Sequence, residues 1–106
     1  SPAEEIGSIV DLMLADLRRR LADKQLRCEL TQAAKQFIID AAYDPQFGAR
    51  PLRRVIQRLV EDTLSEELIS GTISLGDTVQ LRMENDHITV SRMDQVPQKE
   101  AQPETV

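Results

Sequence analysis

The sequence is poor in aromatic residues, cysteine and glycine, and each shortage excludes a class of fold or function. Its 106 residues include one Tyr, two Phe and no Trp, so aliphatic side chains must build the core. The single cysteine, Cys28, excludes an internal disulfide framework and a cluster of thiolate ligands for zinc. None of the four glycines begins the Gly-Lys-Ser/Thr run of a phosphate-binding P-loop. The chain alone is therefore neither a P-loop NTPase nor a zinc protein.

Positive charge is also scarce. Thirteen basic residues stand against eighteen acidic ones, which gives a net charge of −5. A dedicated nucleic-acid-binding domain is normally strongly basic. No apolar run approaches the roughly 20 residues of a membrane-spanning helix, and no signal peptide opens the sequence. We expect a soluble protein, or a fragment of one, with no nucleic-acid or membrane partner.

Hydrophobic periodicity predicts an α+β fold with the element order α-β-α-α-β-β. An apolar stripe from Ile6 to Leu21 predicts the first helix, and the alternation of Leu26, Cys28 and Leu30 predicts a short strand. Thr31 is a suitable N-cap for the second helix. Helices packed on one face of a small, roughly three-stranded sheet would bury these stripes.

A third, longer helix begins near Arg50-Pro51, and Gly71 is a natural stop for it. Residues 78–92 alternate on both sides of Glu84-Asn85-Asp86, which predicts a hairpin. The predicted domain covers residues 1–93. Residues 94–106 are rich in Gln, Pro and Glu, so we expect a disordered C-terminal tail.

Few side chains carry recognisable chemistry. His87 stands alone beside the predicted hairpin turn, and a solvated strand-end residue explains it better than a base or ligand. Cys28 has the alternation of a small buried hydrophobic residue. No pair of His or Cys residues has the spacing of metal ligands, so we expect no metal site.

The charge layout of the third helix is unusual. Arg50, Arg53, Arg54 and Arg58 occupy its first two turns and acidic residues fill its second half, the reverse of what the helix dipole favours. A solvated face with pairs such as Arg58–Asp62 accounts for part of this cluster. It accounts less well for Arg50, because a cation where a loop meets a helix N-terminus is unfavourable unless an anion such as a phosphate approaches.

One interpretation of this cluster is a stand-alone adaptor or nucleic-acid-binding helical module that contacts phosphates through Arg50–Arg58. Residues 1–93 contain 12 basic and 15 acidic residues, which counts against it. A salt-sensitive gel shift with DNA or RNA would favour this alternative.

The segment from Tyr43 to Arg54 resembles the sensor-two segment of the Clp family of AAA+ protein unfoldases. The resemblance covers roughly residues 3–92 and includes Ile9-Val10-Asp11, Val60-Glu61-Asp62, and Gly71-Thr72-Ile73 before Gly76-Asp77. One residue departs from the family pattern, since Ala42 stands where a glycine is usual. If that position required a positive φ, Ala42 would cost on the order of 1 kcal/mol.

The resemblance implies the small (lid) subdomain of the second ATPase module of a hexameric, ATP-dependent protein unfoldase. ATP or ADP would lie between this subdomain and a large subdomain, which is missing from the sequence and would hold Mg2+. Arg50 would be the catalytic sensor-two residue at the terminal phosphates. Gly48 and Ala49 would let the backbone pass close to the nucleotide, and Ile9 would pack against adenine.

The same resemblance implies the partners. They are the large subdomain of the same chain, neighbouring subunits of a homohexamer, and polypeptide substrates of a stress-response chaperone. Glu61-Asp62 followed by Leu64-Ser65-Glu66-Glu67 leans towards the branch that feeds a Clp-type peptidase in proteolysis. The expected location is the bacterial cytoplasm or an organelle matrix or stroma. The fragment alone is expected to be folded, monomeric and without ATPase activity.

Deleting residues 94–106 should leave the melting temperature nearly unchanged. This segment has little apolar surface to offset an ordering cost of roughly 1–2 kcal/mol per residue. Thermal unfolding of the truncated and full 106-residue chains measures the difference, and a drop of several degrees would show that the tail packs.

Overall fold

Helices and strands follow one another in the predicted order, and the α+β fold is confirmed. The computed structural model describes residues 2–44 and 51–97. The elements are α1 (Pro2–Asp23), β1 (Arg27–Leu30), α2 (Gln32–Tyr43), α3 (Leu52–Ile56), a π-helical segment (Gln57–Glu61), α4 (Asp62–Ser70), β2 (Thr78–Glu84), β3 (His87–Arg92) and a 3₁₀ turn (Met93–Gln95). No helix in this described part is long and apolar enough to cross a membrane.

The strands form one mixed sheet in the order β1-β2-β3. Strand β1 runs parallel to β2, with Cys28 opposite Val79, and β2 runs antiparallel to β3, with Leu81 opposite Val90. A parallel pair needs a long crossover connection, which the helices between β1 and β2 provide.

The predicted hairpin is confirmed and has a tight turn. Asn85 and Asp86 have φ angles of 51° and 64°. Two successive residues with positive φ are typical of the two-residue turns whose twist matches that of the strands they join, and Asn and Asp tolerate this conformation well.

The core is aliphatic, as the shortage of aromatic residues predicts. Side chains from every helix and strand contribute to it. Those with at most 2% of their surface exposed include Val10, Leu26, Ile38, Val60, Leu64, Ile73 and Leu81. Burying one such side chain contributes roughly 1.5–3 kcal/mol. Gln80 lies on the opposite side of β2 from Val79 and Leu81 and is also fully buried. The second face of the sheet is therefore covered by protein at this position.

Both predicted helix caps are confirmed. The backbone N–H of Ala34 donates to Oγ1 of Thr31 over 3.1 Å, which satisfies a free donor of the first turn of α2. Gly71 ends α4 with φ 84°. Ala42 lies inside α2 and is not among the residues with positive φ, so no left-handed strain falls on the position where the family usually has glycine.

The third predicted helix contains a π turn, and its apolar spacing explains why. The buried or partly buried apolar residues along it form two adjacent rows with four-residue spacing: Leu52, Ile56, Val60, Leu64 and Leu68 in one, and Val55 and Leu59 in the other. Four residues of regular α-helix turn through about 400°, so such a stripe would drift by about 40° at each step. In the π segment the N–H of Asp62 donates to the carbonyl of Gln57, five residues earlier. The wider turn takes up part of that drift and keeps the stripe on the core.

Two glycine substitutions should change stability in opposite directions. Gly71→Ala should destabilise the fold by about 1 kcal/mol, because a residue with a Cβ is strained at φ +84° even though nothing lies within 4 Å. Gly7→Ala should stabilise it by about 0.5–1 kcal/mol, because Gly7 is inside α1 and the added Cβ would meet only Cδ1 of Ile39 at 4.0 Å. Urea unfolding of both variants measures the signs, and equal effects would contradict this assignment.

Candidate functional site

Three helix ends point towards one end of the domain. Helices α1 and α2 are antiparallel, because Asp11 pairs with Lys35 while Gly7, further back along α1, approaches Ile39, further on along α2. The C-terminus of α2 therefore lies near the N-terminus of α1. The ion pair between Lys35 Nζ and Asp11 Oδ1 holds the two helices together, and the lysine side chain is only 10% exposed.

Helices α1 and α3 run side by side in the same direction. A cleft of about 180 Å³ separates them, with Met13, Leu17 and Arg20 on α1 facing Arg53, Ile56, Gln57 and Glu61. At its far end Arg20 Nη1 lies 3.6 Å from Oε1 of Glu61. A second groove continues the same order, with Leu21 and Lys24 facing Leu64 and Leu68. The N-termini of α1 and α3 therefore point to the same end as the C-terminus of α2.

Large apolar side chains are exposed on α1 and in the last turn of α2. Ile9 on α1 is 42% exposed, Leu12 is 73% exposed, and Tyr43 in the last turn of α2 is 50% exposed. Ile9 lies one helical turn before Met13, which lines the α1–α3 cleft. Ile9 and Leu12 lie about one turn apart on α1, and neighbouring exposed apolar side chains of this kind are typical of a surface that another molecule or domain covers.

Of the four site residues predicted from the sequence, the structure describes Ile9. Gly48, Ala49 and Arg50 lie outside the described residues. On either side of these three residues, a backbone hydrogen bond fixes the chain to a helix. At the end of α2 the N–H of Asp44 donates to the carbonyl of Ala41 over 3.2 Å, and at the start of α3 the carbonyl of Pro51 accepts from the N–H of Arg54 over 2.9 Å.

The other arginines of the predicted cluster are exposed. Arg53 lines the α1–α3 cleft, Arg54 follows it on α3, and Arg58 lies in the π segment. Within residues 2–44 and 51–97, none of the three forms an ion pair, so the expected pair of Arg58 with Asp62 is wrong. The four-residue rule for side-chain pairs holds for a regular α-helix, and the π turn between these residues breaks that geometry.

Sequence reasoning missed two of the ion pairs that position α1, Asp11–Lys35 and Arg20–Glu61. Lys35 carries a recognisable signal, because it lies three residues before Ile38 on the apolar side of α2, where a buried charge needs a partner. Arg20 and Glu61 carry no such signal. Each lies among other charged residues, and only the three-dimensional arrangement pairs them.

Cys28 and His87 are placed as the sequence predicts. Cys28 is 5% exposed, and burial raises the pKa of its thiol to about 12. His87 is exposed at the start of β3, with Nδ1 3.1 Å from the carbonyl of Asn85. Across the described residues, no group of three or more His, Cys, Asp or Glu side chains is arranged to hold a metal ion.

Comparison with known proteins identifies the family of this chain. Residues 2–81 match the family model described as the C-terminal, D2-small domain of ClpB protein. This match covers most of the chain, from the first turn of α1 into β2. The chain belongs to the ClpB D2-small family.

Relatives of this D2-small domain are whole chaperones and protease subunits. The chaperone protein ClpB of Bacillus cereus is 48% identical over 86 residues, 81% of this chain and 10% of the relative. The ClpB of Aquifex aeolicus is 45% identical over 75 residues, 71% of this chain and 8% of the relative. The ATP-dependent Clp protease ATP-binding subunit ClpA homolog of Guillardia theta is 41% identical over 83 residues, 78% of this chain and 10% of that protein. The chain spans about a tenth of the length of these curated relatives.

The thiol of Cys28 in this D2-small domain should be unreactive while the domain is folded. Only a thiolate reacts readily, and a pKa raised to about 12 leaves almost none at pH 8. Reaction with a chromogenic disulfide reagent should therefore be slow in buffer and become fast in denaturing urea. Rapid labelling of the folded domain at pH 8 would contradict the buried assignment.

Proposed function

We propose that this chain is the lid of the second ATPase module of a Clp chaperone and that it acts in ATP binding and hydrolysis through Arg50. The observation that carries the proposal is the family match over residues 2–81, a range that includes Gly48, Ala49 and Arg50. The nucleotide, ATP or ADP, would be shared with a large subdomain that also holds Mg2+.

The geometry of the helix ends supports the location of this site. Arg50 immediately precedes Pro51, and α3 begins at Leu52 beside the middle of α1, where Met13 and Arg53 line the same cleft. Ile9 lies one helical turn before Met13 and leaves 42% of its surface exposed, enough to pack against the adenine ring. In this proposal the base contacts Ile9, and the chain at Gly48 and Ala49 passes close to the phosphates.

The proposed role of Arg50 is electrostatic. Charge builds up on the transferring phosphoryl group and its leaving oxygen during hydrolysis, and a guanidinium there stabilises the transition state more than the bound substrate. When the terminal phosphate leaves, the arginine loses its partner. Because α1 and α2 are joined by the Asp11–Lys35 pair, the whole lid would then rotate as one body relative to the large subdomain.

The partners proposed for the lid are the large subdomain of its own chain and that of the neighbouring subunit in a hexameric ring. Two further apolar residues are exposed: Ile69 near the end of α4 at 87% and Leu75 in the following loop at 61%. We assign them, with the outer face of the sheet, to the contact with the neighbouring subunit. Lid rotation would thereby move adjacent subunits and thread a polypeptide substrate in the cytoplasm or an organelle. The Clp-type peptidase partner stays a prediction from the sequence.

Arg50→Ala in the full-length protein should slow ATP hydrolysis by the second module by two to three orders of magnitude. Removing one donor to a developing charge costs roughly 3–4 kcal/mol of transition-state stabilisation. The measurement is the ATPase rate of the assembled protein with its first module inactivated, together with the melting temperature of this domain, which should change little.

Arg58→Ala is the matched control. It removes the same charge from an exposed site in the π segment, about two helical turns further on. If Arg50→Ala hydrolyses ATP as fast as the parent, or if Arg58→Ala slows hydrolysis equally, the role assigned to Arg50 is wrong.

A further inference from the structure

Strand β1 forms one edge of the sheet. The N–H groups of Arg27 and Thr31 donate towards β2, to the carbonyls of Asp77 and Leu81 over 3.2 Å and 3.0 Å. Backbone groups of successive residues in a strand point alternately to its two sides. The N–H and C=O groups of Cys28 and Leu30 are therefore directed away from β2, to the outer edge, where another strand would pair with them.

Helix α1 covers this outer edge with two polar contacts. The carbonyl of Leu21 accepts from the N–H of Leu26 over 2.9 Å, just before β1 begins. Arg18 Nε donates to the carbonyl of Cys28 over 2.8 Å, and Arg18 Nη2 lies 3.7 Å from Oε2 of Glu29. Arg18 thus occupies the acceptor that an incoming strand would need at the centre of β1.

We infer that Arg18 prevents strand pairing at the β1 edge, and that the surface it blocks fits a second copy of this chain. In the pairing that Arg18 prevents, β1 of each copy would lie antiparallel to the other about a two-fold axis at Cys28. The two Cys28 residues would then exchange both N–H···O=C bonds, because their backbone groups point to the outer edge.

Charge complementarity favours a second copy as the occupant. Arg27 and Glu29 flank Cys28, so the two-fold axis puts Arg27 of each copy opposite Glu29 of the other. Opposite charges directly across an antiparallel pair are favourable, and like charges are unfavourable. A closed two-fold contact uses the same patch on both copies and stops at the dimer.

The surface beside the edge is recessed. A groove of about 390 Å³ lies between α1 and β1, and the side chains that α1 contributes to it include the small Ala15 and Ala22 as well as Arg18. The side chain of Arg18 is the one that bridges this groove to the strand. Replacing the guanidinium of Arg18 with an apolar group would free the carbonyl of Cys28 for pairing while keeping an aliphatic side chain in the groove.

The test compares Arg18→Met with Arg19→Met in the 106-residue chain. Both remove one positive charge from the α1 side of the groove, but Arg18 contacts Cys28 and Glu29 of β1, whereas Arg19 is 67% exposed and pairs with Asp16 on its own helix. Sedimentation velocity over a concentration series should show an association constant at least tenfold higher for Arg18→Met than for the parent, while Arg19→Met matches the parent. Equal association by all three proteins, with native circular dichroism, would overturn the inference.

A charge exchange in the Arg18→Met background tests the pairing itself. Arg27→Glu alone and Glu29→Arg alone put like charges opposite each other, so each should abolish the gain. The combined change restores opposite charges and should restore association. Association that ignores this exchange would overturn the two-fold pairing at β1. If Arg18→Met does not fold, Arg18→Lys replaces it, because lysine keeps the charge but lacks the guanidinium fork, and the same comparisons decide.

Discussion

The rest of the domain depends on how α1 lies across its neighbours. Its apolar stripe is buried at Val10, Leu14 and Leu17, and its polar flanks are tied to α2 by Asp11 and to the π segment by Arg20. One helix thereby fixes an antiparallel neighbour and a parallel one. Because of these directions, the start of α1, the end of α2 and the start of α3 point to one end of the domain. The location proposed for the nucleotide site rests on these directions.

The π turn divides the third helical region into a part that packs in the core and a part that lines the α1–α3 cleft. Beyond it, α4 is anchored in the core through Leu64, and before it α3 presents Arg53 to the α1–α3 cleft. Oγ1 of Thr63 donates to the carbonyl of Leu59 over 2.9 Å, so a side chain supports the backbone where regular helical bonding is interrupted. The direction in which α3 presents its arginines is thus set by a local change of helical pitch.

Local chemistry made much of this fold predictable, whereas contacts between distant elements did not. Thr31, Gly71 and the Asn85-Asp86 turn each act through their own backbone neighbourhood, and each is found where the sequence predicts it. The alternation in β1 predicts a strand but is the same for a parallel and an antiparallel partner. The candidate site stays a prediction, and the position of Ile9 relative to α2 and α3 was not predictable, because it depends on helix directions that no local pattern encodes.

The arginines show where the chain leaves charge uncompensated. Arg18, Arg19 and Arg20 each pair with an acidic side chain, in two cases with Asp16 on the same helix. Among the described residues, Arg53, Arg54 and Arg58 have no such partner, although acidic residues follow them in the chain. An exposed ion pair contributes only about 0–1 kcal/mol, so leaving these three unpaired costs the fold little. In an acidic domain, that positive surface is available to an acidic protein face from outside the chain, such as that of a neighbouring subunit.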